Sequence, residues 1–106
     1  MDRRRRVRQR ALLSGKFVCD HPVMSVDCTI RDITEFGARV VVGPGVVVPR
    51  RGWLINVREG SAHQVDVVWR AGGLLGLRYG ETIDVRRPGS PRLKHLHHLW
   101  TACAGR

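Results

Sequence analysis

The sequence predicts an all-β fold, a six-stranded antiparallel β-barrel carrying one C-terminal α-helix. Three observations lead to it. Apolar and polar residues alternate in short runs from Gly15 to Tyr79, the period-two signature of strands with one buried face. Turn formers separate those runs. Beyond Ser90 the apolar period changes to three and four residues, as on one face of a helix. Alternation alone permits a closed barrel or a small sandwich. Closure favours the barrel because it removes strand edges that invite aggregation.

The elements follow in chain order. Lys16 to Asp20 forms a first short strand, and His21-Pro22-Val23-Met24 a hairpin turn. Ser25 to Arg31 alternates cleanly, with Val26, Cys28 and Ile30 on one face and Asp27, Thr29 and Arg31 on the other. This hairpin sets Cys19 about opposite Cys28. Ala38 to Val42 is a third strand, followed by a connection punctuated by Gly43, Pro44, Gly45 and Pro49. Trp53 to Arg58 turns Trp53, Ile55 and Val57 to one face. His63 to Arg70 turns Val65, Val67 and Trp69 inward, and Leu75, Leu77 and Tyr79 complete the series. Trp53, Trp69 and Tyr79 therefore read as core rather than as a stacking surface. Trp69→Ala is expected to remove roughly 3–5 kcal/mol of stability. Ser90-Pro91 supplies an N-cap and a first helical position. Leu93, Leu96, Trp100 and Cys103 then mark one apolar stripe of a helix over Pro91 to Ala104, laid on the barrel or on a partner. The organisation expected is an arginine-rich arm over 1–10, a barrel over 11–85 and the helical tail over 86–106.

The chain has 106 residues, room for one modest core. No apolar run approaches the ~20 residues of a membrane-spanning helix, so no membrane insertion is expected. The charged start lacks the apolar region of a secretory signal, which makes the cytoplasm the expected location. The three cysteines, Cys19, Cys28 and Cys103, match no zinc-ligand spacing and read as reduced, buried thiols. His95, His97 and His98 cluster on the tail, where His95 and His98 can share a helical face, but two histidines rarely suffice for a metal site. No Ser–His–Asp, Cys–His or paired-carboxylate arrangement is legible, so no enzyme and no cofactor are expected.

The formal net charge is +10, and only Lys16 and Lys94 are lysines. Such a balance favours an anionic partner. Arginine adds a planar fork that grips phosphate two bonds at a time and stacks on flat rings. Arg3, Arg4, Arg5, Arg6, Arg8 and Arg10 crowd the first ten residues, a segment too polar to hold a core and expected to order on an anion. On its own, such an arm reads as a solvated tail or a polyanion patch. Asp32-Ile33-Thr34-Glu35-Phe36-Gly37 on its own reads as an ordinary turn.

Together, an Arg-x-x-x-Arg arm ending at Arg10 and an Asp-x-Thr-x-x-Gly corner between two strands resemble the PilZ domain family. Flanking text agrees: Arg10 to Lys16 resembles the run into the family's first strand. Asp27 to Asp32 and Gly37 to Val40 resemble its second and third. Val67 to Arg70 with Gly76 to Tyr79 resembles its closing hairpin. The resemblance covers roughly residues 5–80. It implies a non-enzymatic receptor that binds cyclic di-GMP between arm and corner and signals through a protein effector. The residues it points to are Arg5, Arg6, Arg10, Asp32, Thr34, Gly37 and Arg39. Thr34 departs from the family's usual Ser, retaining the hydroxyl and adding a methyl. The chemistry is compatible. An arginine can engage guanine O6 and N7 bidentately and stack on the ring. Asp32 can accept from the guanine N1 and N2 hydrogens, Thr34 offers a hydroxyl, and Gly37 lets backbone turn sharply or approach closely. The alternatives are a module that holds RNA or DNA nonspecifically and a PilZ-like adaptor without ligand that makes protein contacts through the Leu93–Trp100 stripe.

Overall fold

A computed structural model describes residues 9–20, 23–87, 89 and 93–104. Six antiparallel strands run in the order β1 (Gln9–Asp20), β2 (Val23–Ile33), β3 (Gly37–Val42), β4 (Arg51–Asn56), β5 (Ser61–Ala71) and β6 (Leu74–Asp84). Around the barrel they are arranged β1-β2-β3-β6-β5-β4, and β4 pairs with β1 to close it. One helix, α1 (Lys94–Ala104), follows. The predicted barrel with a C-terminal helix is the fold observed, with β1 starting at Gln9, inside the segment expected as arm.

Period-two alternation builds the interior. Phe17, Ile30, Val40, Leu54, Val65, Leu75 and Leu77 all point into the barrel and are buried. Each such side chain contributes roughly 1.5–3 kcal/mol relative to exposure. The β5–β6 hairpin closes through Gly72-Gly73, with Ala71 opposite Leu74 and Gly72 at φ +62°, which an L side chain rarely adopts.

A second apolar cluster lies on the barrel's outside. Val18, Ile55 and Ala62 meet Val85 and Leu96 there, with Trp53, Leu93, Leu99 and Trp100 packed around them. The Leu93–Leu96–Trp100 stripe therefore packs on the barrel. Trp100 Nε1 donates to the Val57 carbonyl at 2.8 Å, and His97 Nδ1 lies 2.8 Å from the Val85 carbonyl. Strand β4 is thus buried on both faces, Leu54 inside and Ile55 beneath the helix. Trp53 and Ile55 do share a face, but it is the helix-covered exterior.

Four expectations need correction. Cys103, expected as a buried thiol, is only partly buried. Val23 and Met24, expected in the hairpin turn, open strand β2. Cys19 stands opposite Met24, and Cys28 opposite Gly15, because the hairpin register is offset from the one expected. Burial pushes the Cys28 thiol up to about 12, with Asp27 adding to the rise. Trp69 is not core: it is 41% exposed. The register of β5 against β6 shifts between Val67 and Trp69, so that Val67 faces Leu77 but Trp69 faces Gly76. Two residues of β5 oppose one of β6, a β-bulge that re-aims the following side chain. Trp69 is thereby turned out of the barrel.

Candidate ligand site

The Asp32–Gly37 corner is built by its own hydroxyl. The Phe36 and Gly37 amides donate to Thr34 Oγ1 at 3.1 and 3.2 Å, and the Thr34 amide donates to the Gly37 carbonyl at 2.9 Å. Thr34 thus holds the turn through a local side-chain-to-backbone bond. The Tyr79 amide donates to the Phe36 carbonyl at 2.8 Å, tying the turn to β6. Gly37 serves close approach: a Cβ there would sit 2.0 Å from the Leu77 carbonyl oxygen.

Asp32 reaches the site by a second bulge. Ile30 pairs with Val40, but Asp32 pairs with Arg39, so Arg31 and Asp32 together oppose one residue of β3. Strict alternation would send Asp32 inward with Cys28 and Ile30. The extra residue turns it to the face of Arg39 instead. Arg39 Nε donates to Asp32 Oδ2 at 2.6 Å, and Nη2 contacts the same oxygen. The Asp32 side chain is 5% exposed and that of Arg39 37%. The carboxylate expected to read guanine is therefore engaged by a guanidinium, and the accessible member of the pair is Arg39. Such charge-assisted contacts fix geometry.

Cross-strand pairing assembles a row across five strands. Arg10 of β1 pairs with Asp32 of β2, Asp32 with Arg39 of β3, Arg39 with Gly76 of β6, and Gly76 with Trp69 of β5. A third shift, in β1 between Arg10 and Leu13, falls at the same level. Over the Asp32, Arg39, Gly76 and Trp69 part of this row lies a cavity of ≈ 390 Å³, lined also by Thr34, Gly37, Phe36 and Arg78. Arg5 and Arg6 lie outside the described residues, and Arg10 is located through its backbone pairing alone. Sequence reasoning missed Trp69 and Arg78 as cavity residues. Arg78 sits on β6 opposite Asp66 and contacts its carboxylate at 3.3 Å.

The histidines of the tail play other parts. His97 bonds backbone, and His95 Nε2 lies 3.4 Å from Asp20. No group of three or more potential metal ligands occurs among the described residues. No helix among them is long and apolar enough to cross a membrane.

No family model matches this sequence, and no curated protein is significantly similar to it.

Proposed function

We propose that the chain is a non-enzymatic receptor for cyclic di-GMP, the cavity over the Asp32–Arg39 pair taking part of the ligand and the arginine arm closing on it. The observation that carries this reading is the five-strand row. It brings Arg10, the last residue of the arm motif, into register with Asp32, the first residue of the corner motif. Two segments more than twenty residues apart in sequence are thus neighbours across β1 and β2, as a clamp requires.

In this reading Arg39 presents N–H donors to guanine O6 and N7 or to a phosphate oxygen. Asp32 positions Arg39 and offsets its charge. Thr34 and Gly37 hold the corner against β6. Arg5, Arg6 and Arg10 supply the remaining phosphate and base contacts. In the same reading the receptor signals through a protein effector that senses the closed arm. A cytoplasmic location belongs to the same reading.

Calorimetry with cyclic di-GMP against RNA separates this from a polyanion patch. Removing a charge-assisted hydrogen bond costs roughly 1.5–3 kcal/mol, so Arg10→Ala or Arg39→Ala should weaken cyclic di-GMP binding about ten- to a hundredfold. Asp32→Ala should weaken it too, although it makes the protein more basic. A patch predicts the opposite sign for Asp32→Ala, together with an RNA affinity that collapses with salt. If Asp32→Ala binds cyclic di-GMP as well as the parent and both bind RNA tightly, the receptor reading is wrong.

A further inference from the structure

We propose that Trp69 is the platform on which a purine base stacks in the cavity, so that base affinity comes from β5 while charge recognition comes from β3. The identity of the ligand rests on the receptor reading above. The platform rests on the shape and chemistry of the cavity.

A bulge directs a large apolar ring outward at a position where period two would bury it. An indole left 41% exposed forgoes burial that its size would reward. It is not alone: Val68 and Phe36 beside it are 50% and 51% exposed, and all three line the cavity. The ring does not project freely. A Cβ on Gly76 would lie 2.1 Å from Trp69 Nε1 and 2.3 Å from Cε2. The indole therefore lies across β6, over the one residue of the row without a side chain, and reaches from β5 toward β3. On β3 stands Arg39, one strand beyond Gly76, anchored by Asp32.

A flat apolar ring beside a cationic fork selects a ligand with a flat ring and electron-rich edges. Purine nucleotides have both. Stacking on an aromatic side chain is indifferent to which base is present, because every base has a π-face. Selection of guanine then falls to Arg39, whose fork matches O6 and N7. Gly76 is part of the same device, since any side chain there would displace the indole.

The test is calorimetry with cyclic di-GMP and with GMP on the parent, Trp69→Phe, Trp69→Ala and Gly76→Ala, with melting temperatures and tryptophan emission recorded for each. Trp69→Ala should weaken cyclic di-GMP binding about ten- to a hundredfold, the range for loss of one stacked base. Trp69→Phe should restore most of it. Gly76→Ala should weaken binding while leaving the indole in the chain. Ligand should quench emission in the parent and not in Trp69→Phe. If the parent binds cyclic di-GMP and Trp69→Ala binds it equally well, the platform is refuted while the receptor stands. If the parent binds GMP but not cyclic di-GMP, and Trp69→Ala abolishes that binding, the receptor reading falls while the platform stands. If neither nucleotide binds, both fall. Should Trp69→Ala melt as early as a core truncation with no rescue of binding by Phe, the indole merely covers Gly76 and the proposal is overturned.

Discussion

His63 shows at the residue scale how burial writes a pH dependence into the barrel. Its ring stacks on Tyr79 at 4.0 Å and 6°, with Nδ1 2.8 Å from Thr82 Oγ1 and Nε2 3.3 Å from Ser61 Oγ. Burial lowers its pKa below the ordinary 6.5, and Glu59, 3.8 Å away, only partly offsets that. Burial likewise raises the Tyr79 hydroxyl to about 12. The unfolded chain therefore takes up a proton at His63 before the folded chain does. Stability is full above pH 6.5 and falls as pH drops below it, levelling off once the folded ring also protonates. Melting curves between pH 7.5 and 5 should drop further for the parent than for His63→Gln. Parallel curves for the two would show that His63 does not carry this linkage. The same scale explains Thr34: its hydroxyl accepts two backbone amides. Thr34→Ala should thus loosen the corner and weaken ligand binding through geometry, whereas Thr34→Ser should be close to neutral, and a calorimetric comparison of the two separates hydroxyl from methyl.

At the scale of elements, the strands sort their side chains between three environments, the barrel interior, the helix-covered exterior and the cavity. Leu54 and Ile55 are adjacent, and both are fully buried, in different clusters. Leu54→Ala should cost about 2–5 kcal/mol, whereas Trp69→Ala, on an exposed indole, should cost clearly less. Denaturant titration of the two variants checks this ordering, and equal losses would contradict the bulge in β5. Period-two reading correctly assigns Val65, Val67, Leu75 and Leu77 to the interior. It fails at Trp69 and would fail at Asp32, because each follows an extra residue in its strand. The bulges are what bring these two side chains onto one outer row with Arg39 and Gly76.

For the whole molecule, the helix and the cavity occupy separate stretches of the same strands. On β5, Ala62 lies beneath the helix and Trp69 lines the cavity. On β6, Ile83 packs toward the helix and Gly76 floors the cavity. Seven residues separate each pair, roughly 23 Å at the rise of a strand. A ligand in the cavity can therefore stabilise the barrel without disturbing helix packing. At a free concentration of one hundred times Kd it should add about 2.7 kcal/mol, raising the melting temperature by on the order of 10 °C. Differential scanning fluorimetry with cyclic di-GMP reads this directly, and an unchanged melting temperature at saturating ligand would argue against binding to the folded barrel.

The sequence by itself determined the number and order of the strands, the helix and its apolar stripe, and the two motifs. Each is a local property, a period or a spacing that one segment displays alone. The Asp32–Gly37 corner was legible because hydroxyl and glycine act within a few residues of one another. Only the tertiary structure decided which face Asp32 and Trp69 adopt, that Asp32 engages Arg39, and that Arg10, Asp32, Arg39, Gly76 and Trp69 share a row. The reason is physical. A β-bulge is a mismatch between two strands, two residues against one, and no count along a single strand contains it.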